Sequence, residues 1–435
     1  MLSYRKYFGV IATYTALADL RAGPMNFAVP TVVVRKKNKR SRRDAVTLAT
    51  EIYDPFAFAA GDDPFPIYRK LRDDYPLYHN RKWNFFALSR YDDVAVAVRD
   101  FRTFSSQFGT SLETLKEQVP VLINCDPPDH TRLRHLIAPL FTPGQVQGLE
   151  ATVREYAQAL LEPVREGAEF DIIADFAAKL PMAIICRLLG FRQEDEDMLR
   201  EWTDLCVHRE EGVFEMPEEG MQATLKLYGY FEKELAARAS SPRNDIVQKL
   251  ADAEKAGSLT REEVLGYLYI LSIAGNETTT KLIGNMAWQF DRVPGAYSEA
   301  RRSGDLWGQA IEEAMRFDGP THMMARTTTR DVELHGGTIP AGAKVALLYM
   351  SGNRDERKYK APDRFDIARN PRDHLGFGGG LHACLGAALA RLEARVAWEE
   401  LSKMMSEFDI DTSGVKRVQS PQVRGFTSLP LRFAR

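Results

Sequence analysis

The feature that most restricts the fold of this chain is a helix with no wet side. It opens at Thr260, where Thr260 and Glu263 make a capping box, and runs from 261 to about 290. Before residue 274 it is apolar on nearly every face (VLGYLYILSIA). A helix that is apolar all round is a buried one, so a large core must surround it. From about 150 to 305 apolar residues recur at i, i+3 and i+4 with charged faces between, and short loops such as SSPRND at 240–245 separate the helices. Segments within 330–349 read as strands joined by Gly/Pro turns. Residues 355–380 are polar and irregular, and helical periodicity resumes from Cys384 to Leu401 with Leu385, Leu389, Leu392 and Val396 on one stripe. The expected fold is mainly α with a small β portion.

The chain has 435 residues, long for one domain, yet no internal repeat or second pattern appears. With 44% hydrophobic residues it can enclose a cofactor as well as a core. A net charge of −2 argues against nucleic acid as a partner. Compact structure is expected from about Tyr53-Asp54-Pro55, which divides the chain into an N-terminal extension, 1–50, and a domain, 51–435. Within the extension, 8–20 is mildly apolar but interrupted by Asp19 and shorter than the roughly 20 residues of a membrane span. The basic run 35–43 (RKKNKRSRR) reads as a disordered, solvated tail, and Met25 offers an alternative start. Cys125, Cys186, Cys206 and Cys384 are widely spaced with no CxxC pair, which favours a reduced, cytoplasmic protein over a disulfide framework or a zinc site.

The most informative segment is Phe377-Gly378-Gly379-Gly380-Leu381-His382-Ala383-Cys384-Leu385-Gly386. Its glycines let backbone approach a bulky group and adopt positive φ. Cys384 is expected in the first turn of a helix, where unpaired N–H groups and the dipole favour a thiolate. Gly378, Gly380 and Ala383 also fit a dinucleotide loop. Such a loop follows an apolar strand, and here Asn370-Pro371-Arg372-Asp373-His374 precedes it. A second unusual segment is Ala274-Gly275-Asn276-Glu277-Thr278-Thr279, where a glycine, a carboxylate and threonines interrupt the buried helix. Local rules broken together mark a functional site.

Together these segments resemble the cytochrome P450 family, soluble bacterial type. Phe377, Gly380, His382, Cys384 and Gly386 match its haem-binding signature, with histidine in place of the commoner arginine. The resemblance implies haem b, iron ligation by Cys384, and a single large haem-enclosing domain. It makes Thr278 and Glu277 the oxygen-activating hydroxyl and proton-relaying carboxylate, since O2 cleavage consumes protons in a dry site. It assigns His130, Arg134 and Arg326 to the haem propionates. It also joins Glu313 and Arg316, an ExxR pair, to an arginine of the Pro362-Asp363-Arg364-Phe365 segment, for which Arg364 is the candidate. Pocket positions by family layout are the 105–123 loop, Leu271, Ala274, His322, Met323, Met324, Thr427 and Ser428.

The implied activity is insertion of one oxygen atom from O2 into a lipophilic small molecule: a terpenoid, steroid, fatty acid or polyketide. The chain stops about fifty residues after Cys384, so electrons are expected from separate partners, a ferredoxin and its NAD(P)H-dependent reductase. The rivals are a peroxide-driven peroxygenase, against which the Glu277-Thr278 pair argues, and a non-catalytic haem or ligand-binding protein.

Overall fold

A computed structural model describes residues 52–57, 63–113, 120–164, 169–304 and 306–434. The expectations for the N-terminal extension therefore lie outside the described residues. Seven helices position the site: α1 (Asp129–Ile137), α2 (Lys179–Leu189), α3 (Glu196–Val207), α4 (Glu218–Ser240), α5 (Arg261–Arg292), α6 (Leu306–Asp318) and α7 (Ala387–Met404). The architecture is mainly helical with small sheets, as expected.

Helix α5 is the one foreseen. Thr260 Oγ1 accepts from Glu263 N–H and the Glu263 carboxylate accepts from Thr260 N–H, closing the capping box. The helix runs unbroken through Gly275 and packs against α2, α3, α4, α6 and α7. A mid-helix glycine costs about 1 kcal/mol relative to alanine. Here it accommodates α2, because a Cβ at Gly275 would lie 3.3 Å from the Ile185 side chain.

The main sheet has strands β1 (Leu77–Asn80), β2 (Phe85–Leu88), β3 (Phe104–Ser105), β4 (Met324–Thr328) and β5 (Lys344–Leu347) in the order β1-β2-β5-β4-β3. Strands β2 and β5 are parallel and the other neighbours antiparallel. The predicted strands within 330–349 are present: β5, and a hairpin pairing Val332–Leu334 with Gly337–Ile339. Its turn places His335 and Gly336 at φ 51° and 74°.

One buried ion cluster ties α6 to the irregular segment before the cysteine loop. Arg316 donates to both oxygens of Glu313, at 2.7 and 2.8 Å, and both side chains are wholly buried. Arg316 also donates to the carbonyls of Asn353, Pro362 and Arg364. The third arginine is Arg369, whose Nε lies 3.3 Å from Glu313 Oε1, and not Arg364. The Arg364 side chain is 74% exposed, with only a distant 3.8 Å approach to Asp366. Its backbone bends toward Arg316, which turns the side chain to solvent and leaves only its carbonyl in the cluster.

Removing one partner of a buried pair costs about 3–5 kcal/mol because the other charge stays buried. Glu313→Ala is expected to lower stability by that order, whereas Arg364→Ala should stay within about 0.5 kcal/mol of the parent. Denaturant unfolding of the two variants checks this; equal destabilisation would contradict the assignment of Arg369.

Candidate active site

Helix α5, the 375–386 loop and the start of α7 enclose a cavity of about 1440 Å³, its open mouth included. Cys384 and Thr278 both line it, one from the loop and one from the helix.

The loop is shaped by backbone chemistry. Gly378 and Gly380 have φ of 68° and 62°, where side chains are disfavoured. A Cβ at Gly380 would also lie 3.0 Å from Arg99 Cα and 3.1 Å from the Val98 carbonyl. Cys384 N–H donates to the Phe377 carbonyl at 2.9 Å, and Arg134 Nη2 donates to the Ala383 carbonyl at 2.7 Å. Phe377 carries the Arg391 guanidinium 4.3 Å from its ring centroid. Arg391 is in turn held by Glu312 at 2.5 and 3.0 Å, and Glu312 bonds His374 at 3.0 Å.

Helix α7 starts at Ala387, after Gly386, so Cys384 precedes the first turn instead of occupying it. The expected thiolate preference is correspondingly weak. Burial pushes the Cys384 thiol up, against the opposing pull of the Gly386 N–H, Arg134 and Arg391. A metal at the sulfur would reverse that balance, since coordination deprotonates a thiol.

His130 and Arg134 share the face of α1 that meets the cavity, joined there by Arg326 from β4 and by His382. The His130 and His382 rings lie 4.4 Å apart, and His382 Nε2 is 3.2 Å from Ser106 Oγ. His130 is 1% exposed, yet neither of its ring nitrogens has a protein hydrogen-bond partner. Burial, then Arg134, lowers its pKa. Burial, with Arg326, His130 and Arg134, pushes His382 down to about 3. This end of the cavity thus gathers two guanidinium groups and two neutral imidazoles with donors to spare. A flat metal-bearing macrocycle with two carboxylates, as the resemblance implies, fits this donor set and the Cys384 sulfur.

The distal pair is split between two spaces. Thr278 faces the main cavity, its hydroxyl donating to the Ala274 carbonyl at 2.9 Å. Glu277 lines a second cavity across α5, of about 730 Å³ with its open mouth included, with Arg200, Asp204, His208 and Lys281. Burial opposes ionisation of Glu277, but Lys281 Nζ at 3.1 Å holds its pKa below the ordinary value. Desolvation and then the neighbouring Glu277 push the half-buried Asp204 up to about 9.

Of the pocket positions expected, Leu122, Ile123, Leu271, Ala274 and Met324 line the main cavity. His322 and Met323 do not. His322 is buried between Tyr68 and Asp318, at 3.1 Å from each, and Met323 lies beneath the Tyr53 hydroxyl. Strand alternation explains Met323, since neighbours on an extended chain face opposite sides, whereas His322 lies before the strand and is held by Tyr68 and Asp318. Thr427 borders the second cavity, and Ser428 bonds Asp171. The sequence reading missed Glu393, Arg391, Lys281 and Asp204. In sequence Arg391, Glu393 and Lys281 look like ordinary charged helix residues.

The profile of the family described as Cytochrome P450 matches residues 305–434. Cytochrome P450 109 of Bacillus spizizenii is 35% identical over 378 residues, covering 85% of this chain and 92% of that protein. Among solved structures, CYP109E1 from Bacillus megaterium in complex with testosterone is similar at a TM-score of 0.80 and 30% identity, over 86% of this chain and 98% of that one. A mutant of P450 EryK in complex with erythromycin B is similar at a TM-score of 0.80 and 30% identity, over 87% of this chain and 98% of that one. The chain belongs to the cytochrome P450 family of haem-thiolate monooxygenases, whose cofactor is haem b.

Proposed function

We propose that this monooxygenase oxidises a neutral lipophilic molecule in the cytoplasm, with electrons from a separate ferredoxin and NAD(P)H-dependent reductase. The single observation that carries the reading is that Cys384 and Thr278 line one cavity. Cys384 Sγ is the iron ligand. His130, Arg134, Arg326 and His382 take the propionates through charge-assisted hydrogen bonds, and Phe377, Gly380 and Gly386 shape the loop. When bound, haem supplies the reductive activation of O2 at its iron, with the thiolate favouring O–O cleavage.

The chain's own groups handle protons and exclude water. The Thr278 hydroxyl spends its one proton on the Ala274 carbonyl, so its lone pairs are free to order a water in the cavity. Glu277, behind it on α5, stays ionised beside Lys281 and draws on the second cavity for protons. Glu313 and Arg316 hold the frame on which the cysteine loop rests. The separate redox partners follow from family analogy. The cytoplasmic reading is supported by Cys125, Cys186 and Cys206 being buried and unpaired.

For the substrate, the described cavity wall beyond the propionate end is largely apolar, with Leu122, Ile123, Ile185, Leu271, Pro320 and Met324. Methionine adapts its shape to varied ligands. A ligand carboxylate placed there would be desolvated without a cation. Testosterone, the ligand of CYP109E1, is the kind of neutral, apolar compound this wall suits.

Three outcomes are expected. Cys384→Ala should lose the ferrous–carbonyl haem spectrum of the parent; an unaltered spectrum would remove the ligand assignment. Thr278→Ala should keep substrate binding while product per NAD(P)H falls at least several-fold. Unchanged coupling would refute the proposed role of Thr278. In a titration followed by the haem absorption band, neutral steroids should shift the band at lower concentration than free long-chain fatty acids. The reverse order would refute the neutral-substrate reading.

A further inference from the structure

We propose that the buried ammonium of Lys344 is an internal cation that folds the 108–111 segment against the wall of the substrate cavity. Lys344 is not among the residues that line that cavity. It acts as a positioning residue and sets how tightly substrate is held. The proposal rests on the monooxygenase reading above and adds to it a determinant of substrate affinity outside the wall.

Lys344 opens β5, whose remaining residues Val345, Ala346 and Leu347 are apolar, and all four are buried. A charge in a central apolar strand breaks the local pattern and is tolerated only where partners hold it. The ammonium has three N–H donors, and they go to the carbonyls of Phe108, Gly109 and Ser111 at 2.8, 3.0 and 3.1 Å. The charged groups acting on it are Glu113, which Arg209 takes up at 3.1 Å, and Arg326 on β4. Backbone oxygens, and not a carboxylate, therefore hold the cation.

The segment is shaped to reach it. Gly109 has a φ of 89°, where side chains are disfavoured, and this lets the carbonyls on either side of it turn inward. Phe108 is left 46% exposed while its carbonyl accepts from the ammonium. The segment thus presents backbone, and not its apolar ring, to the interior.

Hydrogen bonds carry this position to the cavity wall. The Thr110 carbonyl accepts from the Ala325 N–H at 2.7 Å and from Gln422 Nε2 at 2.9 Å. Ser111 Oγ donates to Gln422 Oε1 at 3.2 Å, and Gln422 Nε2 lies 3.6 Å from Met324 Sδ. Met324 lines the cavity, and Leu122 and Ile123 line it farther along the chain. Without the ammonium, three carbonyls lose their shared partner and the segment turns toward water to recover hydrogen bonds. Met324 then loses its backing, and substrate leaves the cavity faster.

The test uses haem-loaded parent, Lys344→Met, Lys344→Ala, Lys344→Arg and Gln422→Ala. Neutral steroids and imidazole are titrated by the haem absorption band, turnover gives kcat and KM, and hydrogen exchange follows the 106–113 backbone. Lys344→Met should raise KM and the steroid concentration for half-maximal shift at least roughly tenfold, with kcat within about twofold of the parent. Exchange across 106–113 should quicken, while imidazole, too small to need the wall, should bind as in the parent. Lys344→Arg keeps a cation and should lie closer to the parent than Lys344→Met does. In Lys344→Ala, n-propylammonium should restore part of the lost affinity. Tetramethylammonium has no N–H and should restore none at equal ionic strength, and the parent in the same solutions reports any direct effect on the haem band. Gln422→Ala should also weaken steroid binding, without rescue by propylammonium. Parent-like steroid binding and exchange in Lys344→Met would overturn the proposal. So would a loss in Lys344→Ala that propylammonium leaves untouched, or one that extends equally to imidazole. If the methionine and alanine variants fail to fold, Lys344→Arg and Gln422→Ala decide, and parent-like binding in Gln422→Ala refutes the chain of contacts. A parent that shifts with no neutral steroid refutes the substrate reading alone, and hydrogen exchange then judges the clamp.

Discussion

The position of the cysteine loop is inherited from a single buried carboxylate. Glu313, wholly buried, accepts from two guanidinium groups and from the Asp366 N–H, and Arg316 passes the constraint to the carbonyls of Asn353, Pro362 and Arg364. Asn353 in turn accepts from the Leu375 N–H at 2.7 Å, where the loop begins. Such a cluster is weak evidence for net stability, because desolvation offsets much of the attraction. Its effect is geometric. It joins α6 to a segment with little regular structure and leaves Phe377 and Cys384 where α5 can face them.

Helix α5 separates two kinds of acid–base environment within one element. Thr278 looks into a largely apolar cavity, and Glu277, one residue earlier, looks into a polar one shared with Asp204, Arg200 and Lys281. A step of one residue turns a helix by about 100°, so sequence neighbours reach different spaces. Lys281, one turn on, fixes the charge of Glu277. The partition keeps an ionised carboxylate out of the cavity that must stay dry while leaving it adjacent to the hydroxyl that faces that cavity.

What the sequence made legible was what depends on local chemistry. The capping box at Thr260, the all-round apolarity of α5 and the glycines at 378 and 380 each follow from short-range rules, and each is found in the structure. The failures share a different cause. Arg364 is the arginine of the Pro362-Asp363-Arg364-Phe365 segment, yet selection of the third arginine depends on which side chain a turn directs inward. Met323 adjoins Met324, and alternation turns it to the other side, while His322 is drawn off by Tyr68 and Asp318. Glu393 stands in Arg-Leu-Glu-Ala-Arg, which reads as a solvated helix face. Its burial comes from α5 packing over α7, and no local pattern records that contact.

The same packing explains why the site is electrically incomplete in the bare protein. Arg326 is buried and Arg134 is half-buried, and no carboxylate among the described residues pairs with either; each donates to a backbone carbonyl, of Ala325 and Ala383. Burial lowers the Arg134 pKa, and the two guanidinium groups help keep His130 and His382 neutral. Desolvated cations with no carboxylate partner are destabilising by themselves. A cofactor with two carboxylates would remove that imbalance, and a metal at the Cys384 sulfur would favour the thiolate. Binding free energy enters folding directly when a ligand binds the native state alone. The residues that would hold haem are therefore also the residues that make the native fold depend on it.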